Sequence, residues 1–333
     1  MENKFYKYSS FVIALLAMTL IILTLEKNNH LLENFFREKL DPSAIFSLIT
    51  LLITVLFSLF TLSNLRVIQK NPTTISISLL GFPRAGKTVY LTVLFDLLQR
   101  QRNTGIDFNP YGSETIERVH SDLNILAKQE WLSKTKQNEV FFYRAYATLK
   151  NSIKIFERKY KLEIADFAGE NFDELNPSTE MWLHKSEFFL YVVQSDAIMM
   201  AIDISKIIDS QNSEVETLQN SYIAAIQILI EKKGVESSNR LKAPVTILFL
   251  KSDKLSSSKQ EEEVLLKMNR LLEVCQKRCL SFNYFFVSSV GLTVDKIDSI
   301  SSKDSIENPP KQLTPFNVTE PLIWVMKRLR SST

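Results

Sequence analysis

The eight residues Gly81-Phe82-Pro83-Arg84-Ala85-Gly86-Lys87-Thr88 constrain this chain more than any other stretch. They follow an apolar run, Thr74–Leu80 (TISISLL), and open a segment with helical spacing, Lys87–Arg102. The pattern G-x-x-x-x-G-K-[ST] in that context predicts a strand that turns sharply into a helix around phosphate. The types have electrostatic reasons. Gly86 lets backbone N–H groups curl round an anion at a helix N-terminus, where negative charge is favoured. Lys87 reaches β- and γ-oxygens, and Thr88 ligates Mg²⁺. Gly81, Arg84, Ala85 and Val89 complete the expected lining. Glycine is scarce, with seven in 333 residues, so the positions of Gly81, Gly86, Gly169 and Gly291 carry weight.

A second element lies about eighty residues on. The run KLEIADFAGE reads as a strand ending at Asp166, followed by Gly169 and Glu170. A carboxylate at a strand's C-terminal end can hold Mg²⁺, and Gly169 leaves an N–H free to approach a γ-phosphate. Between and beyond these motifs the pattern alternates. Glu139–Leu149 and Arg158–Ala165 read as adjacent strands. Ala197–Ile204, Pro244–Leu250 and Phe282–Val287 are further strands. Helices are expected near Glu214–Lys233, Glu261–Cys279 and Pro321–Arg330. This predicts an α/β fold of three layers, α/β/α, with a mainly parallel sheet. Insertions are expected near 103–134 and 292–319, the latter including the polar loop Ser301–Pro315.

The order of phosphate loop, D-x-x-G, then Lys251-Ser252-Asp253 after VTILFL resembles the Ras-like and translation-factor class of P-loop GTPases. More narrowly it is similar to bacterial double-GTPase-type domains of the TRAFAC clade, on Ala85-Gly86-Lys87-Thr88-Val89-Tyr90-Leu91. The resemblance covers roughly residues 72–330. It implies GTP/GDP and Mg²⁺ as ligands. Asp253 would accept from the N1–H and N2–H of guanine, a paired donor set that adenine lacks, while the Lys251 stem packs on the base. Leu250 stands where the class has Asn or Thr. Ser288, Ser289 and Val290 resemble the loop whose backbone supports the base. Trp131-Leu132-Ser133-Lys134-Thr135 resembles a W-P-x-x-T segment without its Pro, which makes Thr135 the candidate switch threonine on Mg²⁺, with Thr104 and Thr115 as competitors. Glu170 occupies the place of a water-orienting Gln; it can only accept, so turnover is expected to be slow. Arg84 resembles the internal arginine finger of guanylate-binding and atlastin-like GTPases, acting when two protomers pair across the nucleotide.

The N-terminus adds a different constraint. Tyr8–Leu25 and Ser43–Leu65 carry no charge. Each is long enough to cross roughly 30 Å of hydrocarbon as a helix. No small-x-small cleavage site follows Leu25, against a secretory signal peptide, and a buried soluble hairpin would not need two such runs. The expected organisation is a transmembrane hairpin over 1–70, with spans 8–25 and 43–65, and a GTPase domain over 71–333. Lys and Arg flank both spans, so the charge rule decides little. Nucleotide and Mg²⁺ chemistry puts the domain in the cytoplasm, on a multi-pass protein of a bacterial inner membrane.

The net charge of +3, from 40 basic and 37 acidic residues, argues against nucleic acid. Cys275 and Cys279 read as a buried structural pair, and the three histidines form no triad or metal set. Trp182, His184, Phe188 and Phe189 read as core packing, with an effector-contacting region as the competing use. The expected partners are the bilayer, an unidentified protein effector and a second copy across nucleotide. The competing functions are a nucleotide-binding membrane scaffold that does not hydrolyse, an NTPase that uses ATP, and a membrane-remodelling GTPase, against which the chain lacks a long helical stalk.

Overall fold

The computed structural model describes residues 72–100, 105–133, 140–150, 158–169, 172, 186–235, 239–291, 309–310 and 312–332, with 50, 53, 54 and 57 before them. The chain divides into two compact units, Met1–Asn71 and Pro72–Thr333. In the first unit the four described residues are helical, and the Thr54 hydroxyl donates to Thr50 O one turn back at 2.7 Å. No helix among the described residues is long and apolar enough to cross a membrane. The spans expected at 8–25 and 43–65 lie outside the described residues, apart from those four.

The second unit is a seven-stranded sheet. Its strands are β1 (Thr73–Leu80), β2 (Ile106–Pro110), β3 (Val140–Leu149), β4 (Arg158–Phe167), β5 (Ala197–Asp203), β8 (Val245–Leu250) and β9 (Phe282–Val287). The spatial order is β2-β3-β4-β1-β5-β8-β9. From β4 to β9 every pairing is parallel, while β3 runs antiparallel to both β4 and β2. A separate short hairpin joins β6 (Gly234–Val235) to β7 (Arg240–Leu241).

Strands with both faces covered read as continuous apolar runs. In β5 all seven residues are buried, and alternation splits them between two cores. Ala197, Met199 and Ala201 face one core, shared with helices α1 (Lys87–Arg100), α2 (Ser113–Ala127) and α7 (Glu320–Ser332). Ile198, Met200 and Ile202 face the other, shared with α3 (Glu187–Gln194), α4 (Asn212–Lys233), α5 (Ser258–Lys267) and α6 (Asn269–Arg278). The three-layer arrangement follows from that period of two. Phe188 and Phe189 are buried in the second core, so they pack; Trp182 and His184 lie outside the described residues. Cys275 and Cys279 are buried and free, as a structural pair requires.

Two features depart from the expected elements. The insertion near 103–134 carries its own strand and helix: Ile106 and Phe108 alternate inward on β2, which extends the sheet beyond β3, and α2 follows. The helix expected over Glu261–Cys279 is broken at Met268 into α5 and α6. Gln219 of α4 explains the break. Its buried amide donates to Lys267 O at 2.6 Å and accepts from Leu271 N at 3.2 Å, satisfying one backbone group on each side. Gln219→Leu strands both groups in a dry contact, so unfolding by urea should show a loss of about 2 kcal/mol or more.

Candidate functional site

β1 lies between β4 and β5, so its C-terminal end opens at the middle of the sheet. The loop there lies very close to its neighbour. A Cβ on Gly81 would overlap Ala201 O, and Gly81 has φ +152°. Gly86 has φ +92°. Arg84, between them, also adopts a positive φ of 63°, which costs a non-glycine residue roughly 1–2 kcal/mol. Its side chain is exposed while Ala85 is buried. Val89 packs, half-buried, against the α1 core. Lys87 is 7% exposed, and its ammonium donates to Gly81 O at 2.7 Å and Phe82 O at 3.2 Å. The lysine thus sits folded under a loop made of its own carbonyls.

Asp166 is in register with Leu79 of β1 on one side and Phe141 of β3 on the other. It is 1% exposed. The Thr88 hydroxyl donates to its Oδ2 at 2.7 Å, and its buried Oδ1 has no hydrogen-bond partner. Burial pushes the Asp166 carboxyl above its ordinary range, against the opposing pull of Lys87, the Thr88 hydrogen bond and Arg118. A hydroxyl and a carboxylate at this spacing, with one carboxylate oxygen unsatisfied, fit a hard cation that prefers oxygen ligands. Among the described residues no group of three or more His, Cys, Asp or Glu could hold a metal. Mg²⁺ suits a sparser set, because it keeps several waters and draws on substrate phosphates.

The turn after Asp166 rests on the phosphate loop. A Cβ on Gly169 would overlap the backbone of Pro83 and Phe82. Phe82, Phe172 and Tyr222 form a triangle of rings with centroids 4.9, 4.7 and 5.6 Å apart. The Tyr222 hydroxyl donates to Ala201 O at 2.6 Å, the same carbonyl that excludes a side chain at Gly81. Glu170 and Thr135 lie outside the described residues, as does Thr104. Thr115 is accounted for by packing: its hydroxyl donates to Phe142 O at 3.3 Å and accepts from Arg144 N at 3.2 Å, tying α2 to β3.

On the other side of the loop, β8 ends at the buried Leu250. Lys251 follows with φ 64°. Its ammonium reaches Asp203 Oδ2 at 2.5 Å and Arg84 O at 3.1 Å. Asp203 ends β5 and anchors itself by accepting from Ser205 N at 2.9 Å. The sequence reading missed it; the available signal was a carboxylate closing an otherwise apolar strand. Asp253 lies in a single 3-10 turn, Ser252–Lys254. Its Oδ1 accepts from Ser288 Oγ at 2.5 Å, and that oxygen accepts in turn from Gly291 N at 2.8 Å. Ser289 is 9% exposed and Val290 half-buried. A returning segment braces this loop: Phe316 exchanges two backbone bonds with Ser288, at 3.1 and 2.8 Å, and Thr314 N donates to Val290 O at 2.9 Å.

Leu250 is the unexpected residue at this junction. A Cβ built on Gly86 would lie 3.8 Å from Leu250 Cδ1 and 3.9 Å from Lys251 Cε. The leucine side chain therefore lies beside the space next to Gly86, and the polar link between the loops is made by Lys251. Gly81→Ala forces β1 and β5 apart at Ala201; scanning calorimetry should find it less stable by about 2 kcal/mol or more.

The model of the Double-GTPase 2 family matches residues 75–299. No curated protein matches the chain. Among solved structures, the Arl6 (BBS3) small GTPase from Trypanosoma brucei with bound nucleotide analogue GppNp is similar at 11% identity and a TM-score of 0.38, covering 78% of this chain and 100% of that one.

Proposed function

The chain belongs to the Double-GTPase 2 family, and from that premise we propose that it is a membrane-anchored switch that binds GTP with Mg²⁺, hydrolyses it slowly and recruits a protein partner in the GTP form. The observation that carries the nucleotide reading is the Lys251 ammonium on Arg84 O, because it joins the base-side loop to the phosphate loop as one continuous cradle.

Each residue then has a task. Lys87 exchanges Gly81 O and Phe82 O for β- and γ-phosphate oxygens. Thr88 and Asp166 would hold Mg²⁺, which when bound supplies charge neutralisation to the phosphates. Asp253, already oriented by Ser288, accepts from guanine N1–H and N2–H, and the Lys251 stem lies along the base. Ser289 and Val290 border the base through their backbone. Gly169 leaves Pro83 and turns its N–H to the γ-phosphate. Thr135 would close on the cation, and Glu170 could orient water only as an acceptor, so slow turnover is expected. Arg84, strained and solvent-facing at the loop apex, serves as a finger toward the γ-phosphate when two copies pair.

Membrane attachment is supported by the uncharged runs 8–25 and 43–65, and the use of nucleotide with Mg²⁺ argues for a GTPase domain on the cytoplasmic side of the bilayer. A switch that reorders Thr135 and the Asp166–Gly169 turn beside the lipid surface gives a partner something to read only in one nucleotide state. Leu250 favours a second reading, use of ATP, since it removes a side chain that the guanine-specific class keeps.

Competition of GTP and ATP for the detergent-solubilised chain with Mg²⁺ separates the two readings. GTP should win by tenfold or more. Asp253→Ala should erase that preference while Lys87→Ala weakens both nucleotides; an unchanged preference in Asp253→Ala rules out the guanine reading. In single-turnover assays Arg84→Ala should keep GTP affinity near normal and slow hydrolysis by roughly tenfold or more. Equal rates would remove the finger.

A further inference from the structure

Thr88 and Thr92 stand one turn apart on α1, so they share a face. Each hydroxyl donates to a carboxylate: Thr88 to Asp166 at 2.7 Å, and Thr92 to Asp122 Oδ2 at 3.2 Å. Asp166 closes β4, but Asp122 comes from α2, the helix of the insertion, and is 4% exposed. Two buried carboxylates are thus lined up along the helix that follows the phosphate loop. One arginine accompanies them. Arg118 Nε donates to Asp122 Oδ2 at 3.0 Å, and its guanidinium lies 5.6 Å over the ring of Phe141. Phe141 is the direct cross-strand neighbour of Asp166. The charge of Arg118 acts on Asp166 as well as on Asp122. Its side chain is 35% exposed, so its field is only partly screened.

We propose that Arg118 is an internal counter-ion that holds Mg²⁺ off the Thr88–Asp166 pair until a nucleotide brings its own phosphates. This rests on the reading of Thr88 and Asp166 as the cation pair. Arg118 and Asp122 form an ion pair at 3.0 Å and act on Asp166 with opposite signs. The guanidinium cancels the Asp122 carboxylate, which would otherwise add a second negative charge to draw a divalent cation toward the Thr88–Asp166 pair. The phosphates of GTP carry enough negative charge to reverse the balance, so the cation arrives with the nucleotide. The inserted strand and helix thereby set a condition on the cradle from its flank. A merely structural clamp predicts the opposite result when it is cut, a looser site and weaker cation binding.

Mn²⁺ binding to the nucleotide-free full chain in detergent, followed by electron paramagnetic resonance, distinguishes these. Arg118→Gln should bind Mn²⁺ roughly tenfold tighter than the unaltered chain, at the effective dielectric of a partly exposed site. Arg118→Lys, which keeps the charge, should match the unaltered chain. Asp122→Asn, which leaves Arg118 uncompensated, should bind Mn²⁺ at least about threefold more weakly. If Arg118→Gln does not fold by circular dichroism, the Asp122→Asn result decides: equal affinity overturns the proposal. Affinity in folded Arg118→Gln that is equal to or below that of the unaltered chain also overturns it. Asp166→Asn is measured alongside. If that variant retains full Mn²⁺ binding, the cation reading itself fails. If it abolishes binding while the Arg118 and Asp122 variants match the unaltered chain, only the counter-ion role falls.

Discussion

One backbone carbonyl sets how the whole site is built. Ala201 O, on β5 beside the central strand, lies so close to Gly81 that no side chain fits between them. The same oxygen accepts from the Tyr222 hydroxyl at 2.6 Å. That single atom fixes the height of the phosphate loop on the sheet and ties it to α4 on the opposite face. From the loop's position follow the reach of Lys87, the alignment of Thr88 with Asp166, and the meeting of Arg84 O with Lys251. Each of these is a strong, charge-assisted or buried contact whose geometry tolerates little displacement.

Around that point the site is assembled from three directions. β4 contributes Asp166 from one side, and β5 and β8 contribute Asp203 and Lys251 from the other. The third contribution comes from the insertion, which would be decoration if it only lengthened the sheet. Instead its helix carries Asp122 onto the same face of α1 that holds Thr88. The loop's backbone strain at Arg84 sits at its solvent-facing apex, away from the buried contacts that hold it in place.

Much of this was legible in the chain itself. The phosphate loop, the strand ending at Asp166 and the Lys251–Asp253 turn each couple a motif to an apolar run, and local pattern alone locates them. The strand β2 was not legible, since IDFNP offers only Ile106 and Phe108 in alternation before a proline. The break between α5 and α6 was invisible because its cause, Gln219, is about fifty residues away in sequence. Asp203 offered a local signal, a carboxylate closing an apolar strand, whereas Arg118 and Asp122 became informative only through their partners. Buried ion pairs and hydrogen bonds between distant elements leave no periodicity to read, and that is where the sequence reading stopped.

The triangle of Phe82, Phe172 and Tyr222 has a mechanical consequence. Its three rings belong to the phosphate loop, the stretch after the D-x-x-G turn and the long helix α4. Both contacts of Phe82 are edge-on and directional, while Phe172 and Tyr222 meet at a tilt, so a shift of Phe82 disturbs its contacts with both of the other rings. A displacement of the turn that frees Gly169 from Pro83 therefore loads a ring contact at the middle of a helix of 22 residues. The aromatic cluster is thus the mechanical joint between the anion loop and that helix.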